Sequence, residues 1–336
     1  MNQGFWKKIS EKKPACRGEP FFIMAPMADV TDAAFRRIIT KYGKPDVFFT
    51  EFVSADGLCS EGKEHLMIDL MYSEGERPIV AQFFTSNPEK MFEAAKLAAS
   101  LGFDGIDINM GCPDKTIEKQ GAGAALIKDS RRARDVIRAA KLGAPNLPVS
   151  VKTRIGWSKP EMETWIPEIL TEGIAALTIH ARTRKEMSFV PARWEFVKQA
   201  VEIRDRMKVS TLIIGNGDVL DITDGKKKAK ETGADGVMIG RGIFGNPWLF
   251  SSKSGRTVLP EKLKVMVEHT KLFEKLLGKH KNFAIMKKHF KAYVAGFDGA
   301  KELRIELMNT KNAKEVEKIV KQYLKDGTVF PISKTP

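Results

Sequence analysis

Cys112 lies in the run Asn-Met-Gly-Cys-Pro, residues 109–113, directly after an apolar stretch. A cysteine is by default a small buried hydrophobe. Held between a glycine and a proline in a loop that follows a strand, it is placed instead for a reactive or proton-donating role. Lys152 sits in the alternating run Val-Ser-Val-Lys-Thr-Arg. Facing inward, it is a buried cation that needs an anion; the alternative is a stem along the strand end with its head in water. Two glycine-rich turns, Gly-Asn-Gly-Asp at 215–218 and Gly-Arg-Gly at 240–242, have the composition of a phosphate site. Glycine lets the backbone approach an anion, and exposed N–H groups with an arginine neutralise it. Gln82, Asn109, Arg154, His180, Arg182, Asn216, Asp218 and Arg241 complete the polar set.

These residues share one property: each stands at or just beyond the end of a strand-like run. The runs are 20–27, 46–53, 78–84, 105–110, 148–155, 175–182, 210–217 and 236–242. Most are near-continuously apolar, as parallel strands covered on both faces must be. Between them lie helical patterns at 31–43, 87–102 and 130–143, with Thr31, Asn87 and Ser130 as expected N-caps and Gly43, Gly102 and Gly143 as expected stops. Eight strands alternating with helices predict an α/β fold, a (β/α)8 TIM barrel. A doubly wound open sheet is disfavoured, because no G-x-G-x-x-G follows the first strand. Barrel chemistry sits at the carboxyl ends of the strands, and phosphate is often bound by the loops after strands seven and eight. The polar residues therefore converge on one mouth, and a phosphorylated cofactor or substrate is expected there.

After residue 250 the pattern changes. Residues 251–255, Ser-Ser-Lys-Ser-Gly, read as a linker, followed by four amphipathic segments at 259–278, 283–296, 300–309 and 313–327. The expected domains are a barrel over 1–250 and a small all-α helical bundle over 251–336. Of the net charge of +14, residues 252–336 carry 19 Lys/Arg against 9 Asp/Glu. Such a basic segment suggests a polyanionic partner, although a solvated lysine-rich surface would have the same composition. Three cysteines, Cys16, Cys59 and Cys112, are too few and too scattered for a disulfide framework or a metal site. Cys16 and Cys59 are taken as incidental. No apolar run is long enough to span a bilayer, and the start lacks a signal-peptide core, so no membrane partner and a cytoplasmic location are expected. A monomer is the default.

The chain resembles the tRNA-dihydrouridine synthase family. The matching stretches are 25–36 (APMADVTDAAFR), 104–113 (DGIDINMGCP), 121–129 (GAGAALIKD), 151–157 (VKTRIGW), 177–184 (LTIHARTR), 213–219 (IIGNGDV) and 233–250, with 286–304 in the helical tail. The INMGCP and IHARTR segments are specific; the glycine turns are shared with other flavin barrels. The resemblance implies FMN as cofactor, NADPH as reductant, and reduction of uridine in tRNA to 5,6-dihydrouridine by an oxidoreductase acting on CH–CH groups. Carried over to this sequence, it implies that Pro26, Met27 and Ala28 line the flavin ring. Gln82 and Lys152 meet its polar edge, and His180 lies beside it. Asn216, Gly217, Asp218, Gly240 and Arg241 hold the ribityl phosphate. Cys112 donates the proton, and Asn109, Arg154 and Arg182 contact the uracil or the RNA.

A base held in folded tRNA must leave its stack to reach a barrel mouth, at a cost of a few kcal/mol. Phosphate contacts can offset that, and Lys287, Lys288, Lys291 and Arg304 are the candidates. The interleaved His289, Phe290 and Tyr293 have the spacing of a buried helix face rather than of stacking platforms. Two other functions remain open on sequence. One is a flavin barrel acting on a small metabolite such as dihydroorotate or an enoate. The other is an RNA-binding protein with a relic barrel.

Overall fold

The computed structural model describes residues 3–12 and 19–325. Cys16 and the end of the basic tail lie outside the described residues. Eight strands form one parallel sheet: β1 Phe21–Met24, β2 Phe48–Ser54, β3 Ile79–Phe84, β4 Gly105–Met110, β5 Val149–Arg154, β6 Ala176–His180, β7 Leu212–Asn216 and β8 Gly236–Ile239. Each falls within, or overruns by one residue, a run identified from sequence. The order is β1-β8-β7-β6-β5-β4-β3-β2. A parallel bridge between Ile23 and Val47, just before β2, joins the two ends. The sheet is therefore curled on itself with helices outside it, an α/β, TIM-barrel-like arrangement.

Strand side chains alternate between faces, so one buried residue fixes the direction of those two positions away. The inner core gathers Trp6, Phe21, Ile23, Val80, Ala176, Leu212, Ile214 and Met238. Val80 thereby turns Gln82 inward, Ala176 turns Thr178 and His180, and Ile214 turns Asn216. The amino-terminal end of the interior is apolar, with Trp6 of helix Gly4–Lys12 fully buried in it. The carboxyl end is polar. Continuing the inner face through the sheet register, Gln82 is level with Asp107, Asp107 with Ser150, Asn109 with Lys152, and Arg154 with His180.

Helix ends depart from expectation by one position. Asp32, not Thr31, caps Ala33–Tyr42, accepting from the Phe35 amide, and Asp129, not Ser130, caps Ser130–Gly143, accepting from Arg132. In both pairs the aspartate carboxylate, rather than the neighbouring hydroxyl, takes the free amide. Thr31 instead closes a turn, accepting from the Met27 amide at 2.9 Å. Asn87 caps its helix and Gly43 ends its helix as expected. Leu101 is the C-cap where Gly102 was expected, with Gly102 following at φ +76°, and Gly143 is the last helical residue, with Ala144 as cap.

The chain divides into two compact units, 1–26 with 45–241, and 27–44 with 242–336. The expected boundary at 250/251 is thus moved. Residues 242–250 pack in the second unit, where Trp248 is buried against Tyr42 with rings 5.4 Å apart. The second unit holds helix Ala33–Tyr42 and the described tail helices Leu259–Leu277, Met286–Tyr293, Ala300–Met308 and Ala313–Lys325. Lys41 and Tyr42 both bond Glu268 at 2.6 Å. At its centre Phe35 stands 5.3 Å from the His269 ring and 4.9 Å from that of His289, and the two imidazoles are 4.5 Å apart. None of their four ring nitrogens, nor the Tyr293 hydroxyl, has a hydrogen-bond partner among the described residues. His289, Phe290 and Tyr293 are fully buried, as their spacing predicted.

Candidate active site

A hydrogen-bonded chain crosses three strands at the polar end of the barrel. Ser150 Oγ donates to Asp107 at 2.6 Å, and Gln82 Nε2 donates to the other carboxylate oxygen at 2.6 Å. Asn109 Nδ2 donates to Gln82 Oε1 at 3.0 Å. Asn109 Oδ1 then accepts from the amides of Gly111, at 3.1 Å, and Cys112, at 2.9 Å. The chain locks the backbone that carries the thiol, because each member fixes the orientation of the next. Asp107 is buried, which raises its pKa to about 6 against the opposing Ser150 and Gln82 bonds and the charge of Lys152. Sequence reasoning missed Asp107 and Ser150. The period of two in Gly-Ile-Asp-Ile-Asn-Met would have put Asp107 on the face of Asn109.

Lys152 is level with Asn109. Burial and the neighbouring charge of Arg154 lower its pKa to about 8, while Asp107 and Cys112 pull it back up. Its ammonium makes no hydrogen bond or ion pair among the described residues. The residue is half-buried, and its three free donors are open to an acceptor supplied from outside the chain. Burial raises the Cys112 pKa above its ordinary value; the charge of Asp114 adds to this, and Arg154 and Lys152 oppose it. At neutral pH the sulfur therefore keeps its proton.

Arg154 and Arg182 are both buried. Arg154 Nε donates to Gly111 O at 2.7 Å, and Nη1 to Thr183 O at 3.0 Å and Met187 O at 2.9 Å. Only Nη2 is left for a substrate. Arg182 is more fully committed: Nε donates to Val190 O at 2.6 Å, Nη2 pairs with Asp218, and Nη1 lies 3.2 Å from His180 Nε2. Burial holds the His180 pKa well below its ordinary value, and Lys152, Arg154, Arg182 and Arg241 all press the same way. The ring is neutral in a strongly positive mouth.

The two glycine turns behave differently from each other and from within. Gly215 is required by packing, since a Cβ there would collide with the Trp194 ring. Gly217 has φ +127°, and its carbonyl accepts from Trp194 Nε1 at 2.8 Å. Asp218, at φ +46°, points its carboxylate to Arg182, to Arg241 at 2.7 Å and to the Ala192 amide at 2.9 Å. That carboxylate would repel a phosphate, and Asn216 Nδ2 is occupied by Met238 O at 2.8 Å. The main-chain amides of Gly217, Asp218 and Gly240, however, make no hydrogen bond among the described residues, and the Arg241 side chain is 65% exposed beside them. Unpaired amides with an arginine are an anion-binding donor set.

The donor set fits a planar ring with an anionic edge and a phosphate tail: a partnerless ammonium for the edge, free amides and Arg241 for the phosphate. Pro26 is buried after β1, whereas Met27 and Ala28 fall in the second unit. Cys59 and Cys112 are both free thiols. Among the described residues no group of three or more His, Cys, Asp or Glu is placed to hold a metal ion, and no helix is long and apolar enough to cross a membrane.

Comparison with known proteins bears on the fold and the family. Among solved structures, histamine dehydrogenase from Rhizobium sp. 4-9 superposes with a TM-score of 0.52 at 13% identity, covering 76% of this chain and 49% of that one. TcOYE with pHBA gives 0.50 at 13%, covering 69% and 87%. At such identities the likeness is one of fold alone. In sequence, a probable tRNA-dihydrouridine synthase of Staphylococcus aureus (strain MRSA252) is 40% identical over 326 residues, 96% of each chain. Probable tRNA-dihydrouridine synthase 2 of Bacillus subtilis (strain 168) is also 40% identical, over 96% of this chain and 97% of its own. The profile described as Dihydrouridine synthase (Dus) matches residues 23–328. With nearly the whole length matched, the chain belongs to the dihydrouridine synthase family.

Proposed function

We propose that the protein is a flavin-dependent oxidoreductase that reduces the C5=C6 bond of uridines in tRNA to 5,6-dihydrouridine, with FMN as cofactor and NADPH as reductant. The observation that carries the reading is the partnerless Lys152 ammonium one strand away from Asn109, the residue that fixes the Cys112 loop. Lys152 would hold the electron-rich edge of the ring, and a cation there favours its reduced, anionic form. Arg241 and the free amides of Gly217, Asp218 and Gly240 would bind the phosphate, and neutral His180 would lie beside the ring. When bound, the reduced flavin supplies the hydride that reaches C6 of uracil.

The protein's part is the proton. As C6 receives hydride, the electron pair of the double bond moves to C5 and O4, and Cys112 Sγ delivers its proton to C5. Arg154 Nη2 would meet the developing negative charge, and the Asp107–Gln82–Asn109 chain would keep the thiol loop from moving. The thiolate left behind regains a proton from solvent.

The basic helical second unit is the tRNA-gripping domain in this reading, with Lys287, Lys288 and Lys291 on phosphates. Arg304 is committed to structure, donating to Val294 O at 2.9 Å. The reading also carries a monomeric, cytoplasmic enzyme. The test is to incubate purified protein, FMN and NADPH with tRNA lacking dihydrouridine and map the product by position. Dihydrouridine at discrete positions is expected. Turnover of free uridine or dihydroorotate without any modification of tRNA would contradict the assignment.

A further inference from the structure

The loop over residues 183–193, which follows β6, is fastened from several sides. From below, Arg154 donates to the carbonyls of Thr183 and Met187, and Arg182 to that of Val190. From within, Glu186 accepts from the Thr183 amide at 2.8 Å and pairs with Arg193 at 2.7 Å. From the side, Arg184 pairs with Glu118 and lies 3.5 Å from the Pro113 carbonyl, so the loop is tied to the segment that carries Cys112. A loop so constrained has its shape set before any partner arrives, which removes an ordering cost from binding.

At its tip stands Phe189, 85% exposed, the most exposed large hydrophobic side chain described. The ring has no aromatic or cationic partner among the described residues. Trp157, on the neighbouring β5 loop, differs: Lys128 lies 4.1 Å over its ring and Arg184 5.0 Å. Single exposed apolar residues are ordinary on a protein surface. A free phenyl face on a pre-set loop tied to the segment that carries the half-buried Cys112 is a different case, because water gains nothing there and a flat apolar partner would. Four residues earlier, the Lys185 side chain is exposed and its ammonium has no ion pair among the described residues.

We propose that Phe189 is a stacking platform for a nucleobase of the RNA substrate, flanking the uridine that enters the barrel, with Lys185 on an adjacent phosphate. The inference rests on the reading that tRNA is the substrate. Extruding one uridine exposes the faces of its neighbours, and an aromatic ring at the rim covers one of them; stacking of this kind is tolerant of base identity. Arg154 and Arg182 thereby gain a second duty, holding the platform at a fixed height beside Cys112.

The test compares wild type with Phe189→Ala, Phe189→Leu and Phe189→Trp, all loaded with FMN. Thermal midpoint and flavin occupancy serve as folding controls. Phe189→Ala is expected to weaken tRNA binding by roughly tenfold or more. Phe189→Trp should restore it, and its added fluorescence should be quenched on tRNA addition. Phe189→Leu should resemble alanine, because a leucine has no flat face. Affinity unchanged in Phe189→Ala, or fully restored by leucine, would overturn stacking; the latter would mark an apolar contact such as a protein partner would make. If the wild type itself neither binds nor modifies tRNA, the substrate reading fails, and this inference with it.

Discussion

Lys152 and Cys112 carry opposite demands that the same burial satisfies. Removing a thiol from water favours its neutral, proton-bearing form, and removing an ammonium weakens its hold on charge. Lys152 is cationic below about pH 8 and loses that charge above it. FMN binding to the apoprotein should therefore weaken as pH rises past 8, by at most about tenfold per pH unit, since one proton is linked. Isothermal titration across pH 7–10 measures this. Lys152→Gln should bind FMN more weakly at pH 7 and show no such step; an unaltered step in the variant would assign the titration elsewhere. At this scale the sequence disclosed residue types but not their engagements. Cys112 and Lys152 could be singled out because the Gly-Cys-Pro loop and the alternating strand are local patterns. The period of two could have put Asp107 on the face of Asn109, but its partnership with Ser150 depends on the register between β4 and β5. Likewise nothing in Arg182 itself says that its guanidinium is spent on Val190, Asp218 and His180.

Among the elements, the eight strands were readable because a parallel strand covered on both faces must be apolar almost throughout. The caps were misplaced by one residue at Asp32 and Asp129, since Thr-Asp at 31–32 and Asp-Ser at 129–130 each offer two capping side chains in succession and only geometry selects one. The helix Met286–Tyr293 makes a prediction that the mouth does not. Burial depresses the pKa of His289 to about 3, with Lys288 adding to the effect, and holds that of His269 well below its ordinary value, with His289 adding to it. Lys288 in turn faces Asp29 at 3.5 Å. A histidine depressed in the folded state stabilises the fold above its unfolded pKa of about 6.5, and that stability is lost as pH falls below it. Each histidine would cost the second unit up to about 1.4 kcal/mol per pH unit in that range. Hydrogen exchange of amides 286–293 should accelerate between pH 7 and 5 beyond the intrinsic chemical dependence. A His289→Leu variant should show a flatter profile; protection of the wild type that does not change with pH would refute the burial argument.

For the whole molecule, net charge of +14 and a family whose relatives are named for tRNA converge on electrostatic binding. Affinity for tRNA should fall steeply between 50 and 200 mM salt, and charge reversal at Lys287 and Lys291 should reduce the slope of log K against log salt by roughly 2, one contact each. Filter binding at graded salt would show it, and a slope untouched by both reversals would remove the second unit from the RNA interface. The division of the chain was the least legible property. Residues 27–44 sit between β1 and β2 in sequence but belong to the second unit, a long-range association of Phe35 with His269 and His289 that no local pattern announces. In the proposed reaction Cys112 gives the proton that completes reduction of the base. Anaerobic single-turnover kinetics test it most directly: reduce the FMN-loaded enzyme with NADPH, then mix with tRNA and follow flavin reoxidation. In Cys112→Ala, reduction by NADPH should keep its rate while reoxidation by tRNA slows by about 10²–10⁴-fold, the usual worth of a general acid. Reoxidation at the wild-type rate, or equal slowing of both half-reactions, would contradict the account.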